Sequence, residues 1–420
     1  MISPEERLAP PPPTDLEIHD LIRRELAPHF RTLGRLKSSD ELHAHALYPR
    51  IEPVIRQVLA TPEIGSFAPG PAPARPRYRF LAWNLERGIQ LDGQIAALRT
   101  HPYLRSADVL LLTETDVGMA RSGNRPVARE IAAALGMHYA FIPSYINLSK
   151  GAGVEYHAHG ENELGLHGNA LLSRYPFARV WRIPLENGKD KMRGREKRLG
   201  VKQALAAEIQ FPNGRLVAIT THLDAQSTRE HRRDQIRDVI DGIGGDDTPA
   251  VIGGDWNTST YNSARAFPAI LGFWRRVFMG VDHVIRNHYL HPDARFERDL
   301  FGLLEARGFD YRRANQLGAA TLSYDIADLK TRRNLGEWVP GWCFAFIRWA
   351  LRNHGGRCPL KLDWFATRGL ATANPVVIAE VGTQAERPLS DHDAIGLDIG
   401  WDDGSFGGAG CAARAGTSFQ

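Results

Sequence analysis

Residues 250–257 read AVIGGDWN, and the rest of the chain is organised around them. Val251 and Ile252 are apolar and β-branched, the signature of a strand buried on both faces. Gly253 and Gly254 end that strand, and an acid, Asp255, and an amide, Asn257, follow at once. Polar groups are thereby set at the mouth of a hydrophobic sheet, where binding and chemistry concentrate. A Gly-Asp turn alone would explain as much, so the reading depends on the other stretches.

Working outward, 420 residues with 43% hydrophobic and 24% charged content describe a globular chain able to bury a large core. The formal charge of +4 permits an anionic partner without demanding one. Cys343, Cys358 and Cys411 are odd in number and unpatterned, which fits a reducing compartment and neither a disulfide framework nor a zinc site. The opening MISPEERLAPPPPTD lacks the apolar segment of a secretory signal, and no uncharged apolar run reaches the roughly 18 residues of a membrane span. A cytoplasmic protein is expected. The nearest apolar run, WVPGWCFAFIRWAL at 338–351, is broken by Pro340 and Arg348.

Residues 1–75 are expected to form a helical extension. Thr14 with Glu17 and Ser38 with Glu41 fit capping boxes, and Ile51, Val54, Ile55 and Val58 make an amphipathic stripe. The proline-rich FAPGPAPARPRYRF at 67–80 reads as a semi-rigid linker, with a domain boundary near 75. Residues 76–402 then form the main domain. Its expected strands are 79–83, 108–113, 139–142, 169–173, 203–211, 215–221, 249–252, 362–367, 376–381 and 394–399. Helices are expected at 91–98, 126–135, 228–243 and 294–308, the third capped by Ser227 with Glu230. Asn213-Gly214 predicts a hairpin, and hairpins mixed with helices predict an α/β (α+β) layered fold and exclude a purely parallel sheet. The glycine-rich residues 403–420 are expected to be disordered.

Polar groups recur at the strand ends. Asn84 and Glu86 follow RFLAW; Glu114 and Asp116 follow DVLLL; His222 and Asp224 follow VAIT. His167 and Asn169 stand at the start of NALLS, Asp363 lies within LKLDWFATR, and Ser390, Asp391 and His392 precede AIGLDI. Any one of these is an ordinary turn or surface residue. If the strands share one sheet edge, the groups converge on one pocket. Carboxylate and amide oxygens without cysteine suit a hard divalent ion, Mg²⁺ or Mn²⁺, better than zinc. An imidazole backed by a carboxylate can take a proton near neutral pH, and amide N–H groups can hold phosphate oxygens. The set describes metal-assisted attack of water on a phosphate ester.

WNLERG, LLLTETD, GNALLSRYP, TTHLD, GGDWN, LDWF and LSDHD occur in the order seen in the endonuclease/exonuclease/phosphatase superfamily, which includes deoxyribonuclease I, apurinic endonucleases, inositol polyphosphate 5-phosphatases and neutral sphingomyelinases. The chain resembles that family over about residues 78 to 400. The resemblance implies a four-layer sandwich of two packed mixed β-sheets flanked by helices. It implies Glu114 as the principal metal ligand, with Asn84, Glu86 and Asp391 beside it, and His392 as the catalytic histidine oriented by Asp363. It also implies Asp255 as the acid acting on the attacking water, Asn257 as the amide contacting the scissile phosphate, and His222 as a second histidine. His167 and Asn169 would line the pocket. Whether Asp255 or His392 is the base stays open at this point.

Additions at about 261–293 and 325–360, rich in arginine and aromatic residues, have no counterpart in the resemblance and would select the substrate. Nucleic acid and a phospholipid headgroup both suit them. Three functions are thus open: a Mg²⁺-dependent phosphoesterase, most simply a phosphodiesterase; a nuclease acting on DNA or RNA; and an inactive binding protein on the same fold.

Overall fold

The computed structural model describes residues 15–245, 247–258, 275, 276, 278–325, 343–379, 381 and 388–401. Its helices are α1 (Asp15–Glu25), α2 (Phe30–Leu33), α3 (Ser39–His43), α4 (Tyr48–Ala60), α5 (Leu91–Thr100), α6 (Val127–Leu135), α7 (Arg229–Asp241), α8 (Val281–Val284), α9 (Arg298–Ala306) and α10 (Cys343–Ala350). Its strands are β1 (Glu63–Ser66), β2 (Tyr78–Arg87), β3 (Val109–Val117), β4 (His138–Asn147), β5 (Leu166–Ser173), β6 (Phe177–Leu185), β7 (Arg198–Gly200), β8 (Lys202–Phe211), β9 (Gly214–Thr220), β10 (Ala250–Asp255), β11 (Leu322–Asp325), β12 (Arg357–Leu360), β13 (Asp363–Arg368), β14 (Ala371–Ile378) and β15 (Ala394–Gly400).

Two mixed sheets stack face to face. The larger runs β1-β4-β5-β3-β2-β15-β14, with β7 beside β4, and the smaller runs β13-β10-β9-β8-β6. Side-chain alternation builds the layers. In β3, Val109 and Leu111 face the smaller sheet, where they meet Leu205, Ala207, Ala218, Val251 and Phe365. Leu110 and Leu112 face the other way, onto α5 and α6. The smaller sheet repeats the pattern, turning Ala206, Val217, Ile219, Ile252 and Trp364 toward Ile236 and Val239 of α7 and Leu300, Phe301 and Leu304 of α9. The order is helices, sheet, sheet, helices. The Asn-Gly hairpin joins β8 to β9, with Phe211 opposite Gly214.

Three expectations need correction. Residues 15–66 are not set apart from the main domain by the proline-rich stretch. Strand β1 pairs antiparallel with β4, Glu63 opposite Phe141, and Ile22, Leu26, Leu33, Ile51 and Val58 lie in the same core cluster as Leu110 and Phe141. The cap of α7 is Thr228, whose side chain accepts from the His231 N–H, rather than Ser227. Helix α9 starts at Arg298, after a short 3₁₀ turn at Pro292–Ala294, so the helix expected over 294–308 is shorter. Thr14, residues 259–274 and 326–342 of the two additions, and the tail after Trp401 lie outside the described residues. Among the described residues, no helix is long and apolar enough to cross a membrane.

Candidate active site

Strands β10 and β13 run antiparallel with Asp255 opposite Asp363, so the last residue of one strand and the first of the other lie side by side. The polar set therefore gathers from two facing sheets, not from one sheet edge. Thr321 Oγ1 accepts from the N–H groups of Leu362 and Asp363, each at 3.0 Å, and so fixes the start of β13. Asp363 Oδ2 lies 2.8 Å from His392 Nδ1. His392 comes from the larger sheet's side: Trp83 Nε1 donates to its carbonyl at 3.0 Å, and Ser390 Oγ accepts from its N–H at 3.1 Å while donating to the Asn84 carbonyl at 2.6 Å.

Asp255 is the meeting point. Its Oδ2 accepts from Asn84 Nδ2 at 3.1 Å and stands 3.5 Å from His222 Nε2 and 3.7 Å from His392 Nε2. Its Oδ1 accepts from the Asn257 N–H at 2.9 Å, and Asn257 Nδ2 donates to the Leu223 carbonyl at 3.0 Å. Burial, opposed by His392 and reinforced by Asp363, pushes the Asp255 carboxyl up to about 7. Burial works against the charge of His392, yet Asp363 and Asp255 together hold its pKa well above the ordinary value. His222 is kept neutral by burial and by the nearby Lys202.

Across from this group, the end of the larger sheet is bent. Register shifts interrupt β2 against β3 between Asn84 and Arg87, and β3 against β5 between Leu112 and Thr115. The displaced residues take left-handed backbone: Glu86 (φ 48°), Arg87 (φ 68°) and Glu114 (φ 52°), with Asn257 (φ 52°) opposite. Outside glycine this conformation costs about 1–2 kcal/mol per residue, and bulges commonly re-aim side chains next to active sites. At Gly254 a Cβ would run into the Thr221 carbonyl oxygen, which is why a glycine precedes Asp255.

The bend gathers oxygens. Glu86 Oε2 accepts from the Asp391 N–H at 3.1 Å, Asn84 Oδ1 accepts from the Glu86 N–H at 3.0 Å, and Glu114 Oε2 lies 3.2 Å from Arg87 Nη1. Burial would raise the Glu114 carboxyl, but the Arg87 guanidinium, together with the protonated His392, holds it well below the carboxylate range. A permanently ionised carboxylate with further carboxylate and amide oxygens beside it fits a hard divalent cation. Asp255, Asp363 and His392 also bring ligand atoms within 4.8 Å of one another. In that trio the imidazole and Asp363 are already bound to each other, which suits proton handling better than a magnesium site.

Beside these groups opens a cleft of about 900 Å³, lined among others by Arg87, Glu114, His167, Lys202 and His222. His167 belongs to it: its Nδ1 lies 2.8 Å from Asp116 Oδ1, and Arg121 Nε in turn grips Asp116 Oδ2 at 2.7 Å. Asn169, buried between the sheets, donates from Nδ2 to the Gln203 carbonyl of β8 at 2.7 Å. Sequence reasoning overlooked Arg87 and Lys202. For Arg87 the signal was its place directly after Glu86 in WNLERG; for Lys202 there was none.

The model of the Endonuclease/Exonuclease/phosphatase family matches residues 81–392. The chain belongs to that family. The human Nocturnin catalytic domain, solved with a bound sulfate anion, is 13% identical, with 81% of this chain and 97% of that one covered at a TM-score of 0.43. D. rerio TDP2, complexed with single strand DNA product, is 15% identical over 77% of this chain and 99% of its own, also at 0.43. An endonuclease/exonuclease/phosphatase family protein from Leptotrichia buccalis C-1013-b is 11% identical over 77% and 99%, at 0.45. No curated protein matches the chain. Family membership accounts for the sandwich and for two sheet ends meeting at one polar site.

Proposed function

We propose that the protein is a Mg²⁺-dependent phosphoesterase, most simply a phosphodiesterase, in which Asp255 accepts the proton of the attacking water. The observation that carries this reading is the contrast between a buried Asp255 that titrates near neutrality and a partly buried Glu114 that stays ionised a short way off.

Mg²⁺ or Mn²⁺, held by Glu114 with Glu86, Asp391 and the Asn84 amide oxygen beside it, would supply a Lewis acid that draws charge from the phosphoryl oxygens. Asn84 and the Asn257 N–H aim the Asp255 carboxylate. His392, already protonated and fixed by Asp363, is a cation facing the charge that builds on phosphorus, and its proton is available to the departing oxygen. Of the two groups whose roles the sequence left open, Asp255 is thus the one able to accept a proton. His222, neutral, presents Nε2 to the same carboxylate and helps orient it.

The test is hydrolysis of bis(4-nitrophenyl) phosphate with Mg²⁺ or Mn²⁺, repeated with EDTA and with Asp255→Asn. Turnover that survives either treatment overturns the proposal. A nuclease is the second reading, favoured by the arginines and lysines along the cleft. It requires cleavage of DNA or RNA with affinity falling steeply as salt rises.

A further inference from the structure

Lys202 opens β8 and lines the cleft, yet only 8% of its surface is exposed. Among the described residues its Nζ has no hydrogen bond and no ion pair within 4.0 Å, and it is not sealed among the buried unpartnered atoms, so a mostly covered side chain offers its ammonium to a partner arriving through the cleft. Asp224 is the acid that attracts it most, but Asp224 Oδ2 is already taken by Lys191 Nζ at 2.7 Å and the Gly188 N–H at 2.9 Å, and Oδ1 by the Gln226 N–H at 3.0 Å. Burial accordingly pushes the Lys202 ammonium down to about 7, against the pull of Asp224.

Position gives this lysine a meaning. It interacts inward with His222, Asp255 and Glu114, and outward with Lys191, on the segment that runs from β6 to β7. That segment also brings Lys189, Arg193 and Arg195 to the cleft. The N-terminal extension pins it: Ser39 of α3 donates from its N–H to Asp190 Oδ2 at 2.9 Å and from Oγ to Asp190 Oδ1 at 2.6 Å.

We infer that the cleft holds a second phosphate group of the substrate, with Lys202 at the base of that subsite and the Lys189–Arg195 segment as its outer wall. The inference rests on the phosphoesterase reading and narrows it to phosphate esters that carry a further phosphate. A second phosphate supplies the charged partner that Lys202 lacks, and a charge-assisted contact in a partly dry cleft is a strong one.

The test is isothermal titration calorimetry at fixed free Mg²⁺ with ethane-, propane- and butanediol monophosphates and the matching bisphosphates, on the wild type, Lys202→Met and Lys202→Arg. The tightest bisphosphate should bind wild type about tenfold better than its monophosphate, as one added charge-assisted contact allows. In Lys202→Met that ratio should fall to about twofold or less, and Lys202→Arg should restore most of it. Thermal melts show whether the variants are folded; methionine matches the length of the buried stem. A wild-type ratio near one across the panel, a ratio that survives in Lys202→Met, or equal losses for mono- and bisphosphates each overturn the inference. Hydrolysis of bis(4-nitrophenyl) phosphate is measured alongside. If it is absent while the binding ratio behaves as expected, the phosphoesterase reading fails and the subsite stands.

Discussion

The two sheet ends that meet at the site handle charge in opposite ways. Glu114, on the larger sheet, is partly open to the cleft and Asp255, on the smaller, is fully enclosed, and burial pushes both pKa values up. Neighbours decide the outcome. Glu114 has the Arg87 guanidinium at 3.2 Å and the charge of His392 near it, so it stays ionised. Asp255 shares its surroundings with Asp363, the acid opposite it in the β10–β13 register, and titrates near 7. Desolvation sets how much is at stake; the charges placed beside each group set its sign.

The bluntest way to break the comparison is to remove part of one sheet. Deleting residues 1–66 takes β1 from the larger sheet and uncovers the face on which Ile22, Leu33, Ile51 and Val58 pack. Each such side chain is worth about 2 kcal/mol of burial, against a usual net stability of about 5–15 kcal/mol. The truncated chain should lose cooperative melting. A sharp transition near the full-length one would show that the extension is dispensable.

Asp255→Asn should lower kcat by roughly 10³-fold, the scale of a lost proton acceptor. Its effect on stability has a defined sign. The folded pKa lies above the unfolded value of 3.8, so stability is lost progressively as pH rises from about 4 to about 7, and the loss stays constant above that. The asparagine variant escapes that cost, and its melting temperature relative to wild type should climb between pH 5 and pH 7 and then level off. Glu114→Gln should lower activity by about 10²-fold and raise the Mg²⁺ concentration needed for half-maximal rate. Here the linkage is reversed. The folded pKa is depressed, so the carboxylate contributes stability above its ordinary pKa, and the glutamine variant should melt lower than wild type at pH 7. Melting shifts of the same sign for the two variants at pH 8 would erase the distinction drawn between the sheets. The smallest effect is on the pH profile: kcat/KM of the wild type should rise about tenfold per pH unit on the acid side and level off near pH 7, as Asp255 becomes able to accept a proton.

Much of this was legible before any coordinates. Glu114, Asp255 and His392 announce themselves because each follows or precedes a strongly apolar strand and carries a motif of its own. The Asn-Gly hairpin is local chemistry and forms where expected. What escaped depends on partners distant in sequence. Strand β1 reads EIGS, with no alternation, and exists because β4 offers it an edge. Asp363 was legible through the resemblance alone, since locally it looks like a mid-strand acid; the antiparallel register of β13 with β10 is what brings it to the same end as Asp255. Lys202 is an ordinary strand-opening lysine until Lys191 is seen to have taken Asp224.

The pairing of Glu63–Ser66 with the outer edge of β4 also dictates an order of events during synthesis. The first helices leave the ribosome well before the strand that will shelter them, and on their own they are too short to persist in water. They must wait, half-formed, until residues 138–173 have emerged. These early-made helices are thus fastened only after a strand well downstream has appeared.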